Sequence, residues 1–461
     1  MTFTEYDSLV FFIIVISAYW LVKRRAWQNA LLLVASYVFY SWVHPWYALL
    51  LGLSTAVDYF AALGMAKYRQ HTKKLLVLSL VINLGALAFF KYFNFFADDV
   101  SRLLSSLGLL ADDTLLRILL PAGLSFYTLK KVAYVIDVSR GTFEPVRDPI
   151  AFALFAAFFP QINVGPIDRA QKLIPQIQSD RVWKADYFQR AWPLLLMGFF
   201  KKIVIADTIR VAVDKVFVLR EPSPLLVLAA SLAFMFQLLA DFSAYTDISR
   251  GVALLFGFET SENFNAPFLA FSPTEFWNRW HITLSTWLRD YLYFPLGGSR
   301  VSSARHYFNI LFTFFICGLW HGAGWNYVLW GLFFGVLTVG YRAVGLGRNW
   351  KPANRFTHFI AWAVMFGFLL IAFLLFRIPS FDWLAGVLTR GTFTGANGEI
   401  VVALATLSTA FFYGLPMLIK HVMDRRLPPR SILFDVYFVL ASMAIFFYIN
   451  PAAAEFIYAQ F

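Results

Sequence analysis

The chain has 461 residues, of which 59% are hydrophobic, 19% aromatic and 14% charged, and its formal net charge is +12. A soluble globular domain carries about 25% charged residues, so this composition excludes an ordinary soluble protein and predicts a helical protein with several membrane crossings. The basic residues form no single-faced stripe of the kind that binds nucleic acid. The single cysteine excludes an internal disulfide and a cysteine-based zinc site.

Apolar stretches recur from one end of the chain to the other. A membrane-spanning helix needs ~20 residues, so we expect an all-α polytopic protein with about 10–12 crossings, plus re-entrant and interfacial helices. His44 and Pro45 mark a turn inside the second stretch. One integral-membrane domain should cover residues 1–461, with N-terminal helices at 1–140, a core at 141–340 and C-terminal helices at 341–461. The apolar stretches are 9–22, 30–60, 75–96, 115–138, 150–164, 191–206, 225–240, 307–339, 356–376, 401–419 and 432–449.

Basic clusters between these stretches predict the orientation of the helices. Cytoplasmic loops carry an excess of Lys and Arg, and the run KRR (23–25) directly follows the first stretch. The N-terminus is therefore expected outside, without a cleavable signal. Further cytoplasmic clusters are expected at 67–74, 342–355 and 420–430, which leaves the C-terminus outside as well. The acidic residues of the predicted external loop are Asp98, Asp99, Asp112 and Asp113.

The run GLWHGAGW (318–325) places an ionisable side chain, His321, between glycines and between two apolar arms, 307–316 and 327–339. The first arm is shorter than the ~20 residues that cross a hydrocarbon core, so we expect His321 to lie inside the membrane. Irregular backbone at that depth is tolerated only inside protein or beside a wet cavity, and ionisable residues there are functional candidates. The alternative is a core histidine that hydrogen-bonds a neighbouring helix.

Cys317 lies one helical turn before His321. A thiol nucleophile is one interpretation, but a buried cysteine more often behaves as a small hydrophobic residue. No two of the seven histidines have metalloprotease spacing, so no metal is expected.

The second concentration of polar residues is the Trp-rich run EFWNRWHITLSTWLRDY (275–291). At helical spacing, Asn278, His281, Ser285 and Arg289 fall near one face, while the tryptophans fall near another. An interfacial helix that anchors its tryptophans at the headgroups would explain this pattern without any chemistry. The turn PLGG (295–298) is expected to end the segment.

Together these runs resemble the membrane-bound O-acyltransferase family, and within it the bacterial alginate O-acetyltransferase branch of membrane subunits. The similar pieces follow one another in order over most of the chain. They are PAGLSFY (121–127), YVIDV (134–138), FPQ (159–161), GPI (165–167), DFSAYTD (241–247), ENFNAPF (262–268), FWNRWHITLSTWLRDYLYFPLGG (276–298), GLWHG (318–322) and FIYAQF (456–461).

The resemblance implies a tunnel through which an acyl group passes from a cytoplasmic thioester to a hydroxyl. It assigns the family histidines to His321 and His281. An imidazole with a pKa near 6.5 suits His321 as general base, whereas His281 could hold the thioester carbonyl, orient His321 or relay a proton. Asp241 and Asp247 are expected to have interhelical rather than catalytic roles.

The resemblance also implies acetyl-CoA as donor, a bacterial inner-membrane location and an extracytoplasmic polysaccharide of the alginate, cellulose or peptidoglycan class as final acceptor. A periplasmic acetyltransferase or acceptor protein is the expected partner. The polar segment 258–305 is the expected inner vestibule, because its basic residues would attract an anionic donor. The donor-binding residues are predicted to be Asn278, Arg279, Arg289, Arg300 and Trp320.

Two departures from the family pattern stand beside GPI: the run INV (162–164) before it and Asp168 after it. The lining of the donor or acceptor path is expected to differ there. Two other functions also fit parts of the sequence. A transporter or channel would likewise have broken intramembrane segments, and a scaffold could recruit a periplasmic enzyme without catalysing a reaction.

Overall fold

The computed structural model describes residues 1, 3–42, 44–107, 119–347, 350–428 and 431–449, without the side chains of 98–104. Within these ranges the chain is helical, and no β-strand occurs. The run FIYAQF, Asp112, Asp113, Arg348 and Arg430 lie outside the described residues.

The first ten helices are α1 (Tyr6–Leu21), α2 (Arg25–Ser41), α3 (Trp46–Lys67), α4 (Thr72–Ser106), α5 (Leu124–Ser139), α6 (Pro149–Ala157), α7 (Ala170–Gln178), α8 (Ala185–Phe199), α9 (Asp207–Phe217) and α10 (Pro224–Leu255). They are followed by α11 (Pro273–Trp277), α12 (Ile282–Leu288), α13 (Ser303–His321), α14 (Trp325–Ala343), α15 (Arg355–Arg377), α16 (Phe381–Thr389), α17 (Asn397–Arg426) and α18 (Ile432–Tyr448). Short 3₁₀ turns occupy Arg69–His71 and Pro267–Leu269, and π-helical turns occupy Phe200–Ala206 and Arg289–Tyr293.

Five helices within the described ranges are long and apolar enough to cross a membrane: α3, the helix over Arg69–Ala97, α10, α15 and α17. The apolar helices α1 and α18 are shorter. The predictions of an all-α fold and of a multi-pass membrane protein are confirmed. The number of about 10–12 crossings and the orientation of the termini stay predictions.

The helix boundaries agree with the apolar stretches in most places and differ where proline interrupts them. The turn at His44 and Pro45 is confirmed, since α2 ends at Ser41 and α3 begins at Trp46. The stretch 150–164 is only partly helical: α6 has 9 residues and is followed by irregular backbone that is largely buried. Pro160 and Pro166 explain this, because proline lacks the N–H that helix continuation requires.

The helix α10 continues well past residue 240, where the apolar stretch ended, because its polar side chains find partners on the preceding π-helical turn. Lys202 Nζ lies 2.9 Å from Asp241 Oδ1, and Lys201 Nζ lies 2.6 Å from Asp247 Oδ2. Buried charges are retained when they are paired and hydrogen-bonded. These contacts agree with the interhelical role that the sequence favoured for Asp241 and Asp247.

A third ion pair lies among three N-terminal helices. Lys131 Nζ of α5 lies 3.4 Å from Asp58 Oδ2 of α3, and both side chains are 0% exposed. The other carboxylate oxygen, Asp58 Oδ1, accepts hydrogen bonds from Ser79 and Asn83 of α4 at 2.6 and 2.7 Å, and Lys131 also donates to Ser54 at 2.6 Å. The carboxylate and the ammonium group of this pair are therefore both paired and hydrogen-bonded inside the bundle.

Candidate active site

His321 is the last residue of α13 and is 2% exposed. The extended residues Gly322 and Gly324 lead from it to α14, so the predicted break between two arms is confirmed. The helix itself is longer than its apolar arm, at 19 residues, because it begins in the polar run at Ser303 and continues through His321. The length argument that placed His321 inside the membrane therefore does not hold. The structure shows that His321 is buried among other helices, and its depth in the membrane stays a prediction.

The helices α13 and α14 cross at two glycines, Gly318 just before His321 and Gly331 on α14. A Cβ on Gly331 would lie 2.3 Å from the carbonyl oxygen of Phe314, and one on Gly318 would lie 2.3 Å from that of Tyr327. Only glycine permits so close a backbone approach. The crossing thus fixes the end of α13, and with it His321, against α14.

Two side chains of α4 bind the carbonyl groups at the end of α13. Tyr92 Oη donates to the carbonyl of Leu319 at 2.5 Å, and Lys91 Nζ donates to that of Trp320. The last carbonyls of a helix lack intrahelical partners, so these contacts cap α13. Sequence reasoning missed Lys91, because it stands alone within an apolar stretch.

Aromatic rings surround the imidazole of His321. The ring centroid of Trp330 lies 4.7 Å away, that of Trp320 5.0 Å and that of Phe376 5.5 Å. Rings at this density exclude water and lower the local dielectric, which strengthens every electrostatic interaction inside the site.

His281 is 0% exposed and adopts a left-handed conformation with φ 40° and ψ 54°. This conformation separates α11 from α12, so the prediction of one continuous helix over 275–291 is wrong. The helical spacing that placed Asn278, His281, Ser285 and Arg289 on one face is therefore interrupted at His281. The predicted turn at 295–298 is present.

The segment around Asn263 holds the unusual backbone of His281 from both sides. The N–H of Ile282 donates to the carbonyl of Asn263 at 3.0 Å, and the N–H of Asn265 donates to that of Arg279 at 2.9 Å. Asn263 Oδ1 also accepts from the N–H and the hydroxyl of Thr283, at 3.2 and 2.6 Å. A non-glycine residue in this region costs ~1–3 kcal/mol and persists only where its surroundings over-determine it, which is common at functional sites.

The ring of Trp320 contacts both histidines. Its centroid lies 5.0 Å from that of His321 and 6.1 Å from that of His281. Phe242 of α10 packs edge-on against His281 at 4.8 Å, and Phe126 of α5 stacks on it at 6.2 Å. The two imidazoles, which are 40 positions apart in the chain, thus share one aromatic enclosure.

The other predicted donor-binding residues lie at different places. Trp320 belongs to the enclosure of the two histidines. Arg279 pairs with Glu275 at 2.5 Å. Arg289 pairs with Asp290 at 2.9 Å and is exposed. Asn278 and Arg300 are also exposed.

Cys317 is buried one turn before His321, as a small hydrophobic residue would be. Among the residues that the structure describes, no group of three or more His, Cys, Asp and Glu side chains could hold a metal ion.

Comparison with known proteins extends these observations. Residues 146–381 match the model of the membrane-bound O-acyltransferase family. The chain is 35% identical over 449 residues to the probable alginate O-acetylase AlgI of Pseudomonas aeruginosa, an alignment that covers 94% of this chain and 85% of that protein. It is 33% identical over 425 residues to the peptidoglycan O-acetyltransferase of Helicobacter pylori, an alignment that covers 84% of this chain and 78% of that protein. The teichoic acid D-alanyltransferase of Bacillus subtilis is 29% identical to the chain over 275 residues, an alignment that covers 55% of this chain and 68% of that protein.

Proposed function

Because the chain belongs to the membrane-bound O-acyltransferase family, we propose that it moves an acetyl group from a cytoplasmic thioester across the membrane to a hydroxyl. That it is an O-acyltransferase follows from the family and from relatives that are named O-acetyltransferases. We favour acetyl as the acyl group, since the relatives with the widest coverage are named O-acetylase or O-acetyltransferase. The final acceptor is an extracytoplasmic polysaccharide of the alginate, cellulose or peptidoglycan class.

The observation that best supports this reaction is the enclosure that brings His321, Trp320 and His281 together. In the transfer, the acceptor oxygen forms a bond to the acetyl carbon and the carbon–sulfur bond breaks. His321 takes the proton of the acceptor hydroxyl as general base, and the departing thiolate takes up a proton. A positioned base typically contributes ~10²–10⁴-fold to such a step.

His281 is proposed as the second catalytic residue. Its imidazole could hold the thioester carbonyl or relay the proton from His321 towards the thiolate, and the ring contacts through Trp320 are compatible with either role. An oxyanion contact in a dry enclosure would stabilise the charge that develops on the carbonyl oxygen.

Acetyl-CoA is the proposed donor, bound from the cytoplasm by the segment 258–305. The phosphates of this donor would meet Arg279, Arg289 and Arg300, with Asn278 beside them and Trp320 nearer the thioester. Of the three arginines, Arg300 has the fewest competing contacts, because the other two form ion pairs with Glu275 and Asp290.

Replacing Arg279, Arg289 and Arg300 together by Gln should weaken the binding of coenzyme A to the purified protein at low salt. The expected loss is about tenfold or more, since each charge-assisted contact contributes ~1.5–3 kcal/mol where it is made and less where salt screens it. The binding constant should be measured at two salt concentrations. The control is a triple Gln variant of three exposed arginines outside the segment, Arg24, Arg69 and Arg147. It should bind coenzyme A as the wild type does. Unchanged binding in the first variant would exclude this donor-phosphate site.

The protein is proposed to reside in the inner membrane of a bacterium. A periplasmic acetyltransferase or acceptor protein would take the acetyl group, or the polysaccharide would receive it directly. Only an acceptor on the far side of the membrane requires a catalyst that spans it, because coenzyme A thioesters do not cross the bilayer unaided.

Deletion of the gene should remove ester-linked acetate from an extracytoplasmic polysaccharide, and the wild-type chain should restore it. The acetate is released by mild alkali and quantified, and the purified protein is assayed in parallel for turnover of radiolabelled acetyl-CoA in proteoliposomes. If the His321→Ala variant loses both the ester-linked acetate and the turnover of acetyl-CoA, the protein acts as a catalyst and not merely as a scaffold. If the polysaccharide keeps its acetate in the deletion strain, or if the wild-type protein turns over no thioester, the proposed function is wrong.

A further inference from the structure

Asp168, one of the two departures from the family pattern, is 2% exposed and ends the buried, irregular segment between α6 and α7. Its carboxylate accepts hydrogen bonds from two parts of the chain. Oδ2 accepts from Gln161 Nε2 at 2.6 Å and from the N–H of Ser261 at 3.3 Å, and Oδ1 accepts from the hydroxyl of Ser261 at 2.5 Å. Asp168 therefore joins this segment to the loop that follows α10.

Lys130 of α5 fixes the direction of these hydrogen bonds. It is 2% exposed, and its Nζ donates to Gln161 Oε1 at 2.9 Å. An ammonium group can only donate, so the amide oxygen of Gln161 faces Lys130 and its NH₂ group faces Asp168. All the groups that point at Asp168 from Gln161 and Ser261 are thus donors. A carboxylate satisfies them, whereas an amide at this position would set a donor against a donor.

The loop that contains Ser261 also holds the backbone that follows His281. Asn263, two residues after Ser261, accepts the N–H and the hydroxyl of Thr283 on Oδ1, at 3.2 and 2.6 Å. A left-handed conformation such as that of His281 persists only where its surroundings over-determine it. A shift of this loop would therefore remove contacts on which the conformation of His281 depends.

A second route to His281 runs along the backbone beside Asp168. The N–H of Ile167 donates to the hydroxyl of Thr283 at 3.0 Å. This hydroxyl is therefore shared between the segment before α7 and the loop after α10, and both of its partners, Ile167 and Asn263, are buried. The two routes from Asp168 meet at Thr283, two residues after His281.

We propose that Asp168 is a positioning residue for His281. By fastening Ser261 to its own segment, the buried carboxylate of Asp168 fixes the turn that carries the second catalytic histidine. The inference rests on the proposed function and adds to it a residue that acts on His281 through Asn263 and Thr283.

Asp168→Asn should lower kcat for acetyl-CoA turnover by the purified protein about tenfold or more, because a small displacement of a catalytic group has effects of this size. KM for acetyl-CoA should stay close to the wild-type value, since the substitution replaces none of the proposed donor-binding residues. The matched control is Asp186→Asn, at an exposed carboxylate of α8, which should turn over acetyl-CoA as the wild type does. Size-exclusion profiles and melting temperatures identify variants that have not folded.

Gln161→Glu combined with Asp168→Asn reverses the hydrogen bond between these two positions and keeps the net charge. The new carboxylate at position 161 accepts from Lys130 and from the new amide at position 168, whose oxygen accepts from the hydroxyl of Ser261. This double variant should recover most of the lost kcat. Gln161→Glu alone sets two carboxylates against each other and should be at least as slow as Asp168→Asn.

A double-mutant cycle tests whether Asp168 acts through His281. In the His281→Ala protein, which we expect to retain part of its activity, Asp168→Asn should cause little further loss of kcat, because the group that it positions is already absent. An equal loss in the wild-type and His281→Ala backgrounds would show that Asp168 does not act through His281.

Hydrogen exchange gives a measurement that does not depend on turnover. The N–H groups of Ile282 and Thr283 both donate to Asn263. They should exchange about tenfold faster in Asp168→Asn than in the wild type, as expected when a supporting hydrogen bond is lost. The N–H groups of α10 should exchange at the same rate in both proteins, which excludes global unfolding.

The outcomes separate this inference from the proposed function. If exchange at Ile282 and Thr283 is unchanged in Asp168→Asn, or if the folded variant has the wild-type kcat, Asp168 does not position His281, while turnover by the wild type still supports the proposed function. A lower melting temperature with an unchanged kcat would identify a merely structural carboxylate. If the wild type turns over no acetyl-CoA, the proposed function is wrong, and the exchange rates alone decide whether Asp168 holds this segment.

Discussion

The His321→Gln variant should insert and fold normally and lose acetyl transfer almost completely. Glutamine retains a hydrogen-bonding side chain of similar size, but it cannot accept the proton of the acceptor hydroxyl. Removal of a positioned base commonly lowers the rate ~10²–10⁴-fold. The measurements are ester-linked acetate on the polysaccharide in complemented deletion cells and acetyl-CoA turnover by the purified variant. His321→Ala should fail equally, and His281→Ala should be impaired, less severely.

His306→Gln provides the matched control, because His306 lies on the same helix, α13, and contacts Tyr293 and Arg342 rather than the enclosure. It should transfer acetyl groups at close to the wild-type rate. Protein abundance in the membrane is measured for each variant, since loss of a buried polar contact could unfold the protein and imitate lost catalysis. A folded His321→Gln protein that transfers acetyl groups at the wild-type rate would show that His321 is a core histidine and not the general base.

The Lys131→Met variant should be strongly destabilised. It leaves the carboxylate of Asp58 buried without its cation, and breaking one side of a buried ion pair typically costs ~3–5 kcal/mol. The expected result is a large drop in melting temperature, measured by fluorescence-detected size exclusion of the protein in detergent.

The double variant Asp58→Asn with Lys131→Met should recover much of the lost stability, because it removes both charges and leaves no ion unpaired. Lys73→Met, at an exposed lysine of α4, should melt as the wild type does. A Lys131→Met protein as stable as the wild type would contradict the importance of this pair, and so would a double variant no more stable than the single one.

The sequence predicted the break after α13 because this feature is local. Glycines on both sides of a lone imidazole, within apolar surroundings, can be read directly from the run 318–325, and the structure ends α13 at that position. The course of the run 275–291 could not be predicted in the same way. Its periodicity suited a continuous helix, whereas hydrogen bonds accepted by Asn263 and donated by Asn265 hold His281 in a left-handed conformation that local preferences disfavour.

The partners of the buried charges were also beyond sequence reasoning. Lys91 lies 229 positions from Trp320, whose carbonyl it binds, and nothing in the apolar stretch around Lys91 indicates this contact. A cavity lined by Asn263 and by α8, α10, α15 and α17 is likewise formed by helices that are far apart in the chain. Such contacts depend on which helix faces approach each other, and periodicity does not specify this.

The amino-acid sequence by itself determined the class of the protein, most of its helices and the position of His321. The reason is that a chain this apolar must satisfy its backbone hydrogen bonds within helices when it lies in a membrane, and glycine and proline mark where those helices stop. The tertiary structure alone decided that Trp320 contacts both His321 and His281, that Lys91 caps α13 and that Asn263 holds the backbone after His281. These arrangements arise from the packing of distant helices, in which each buried polar group must find a partner that the local sequence does not contain.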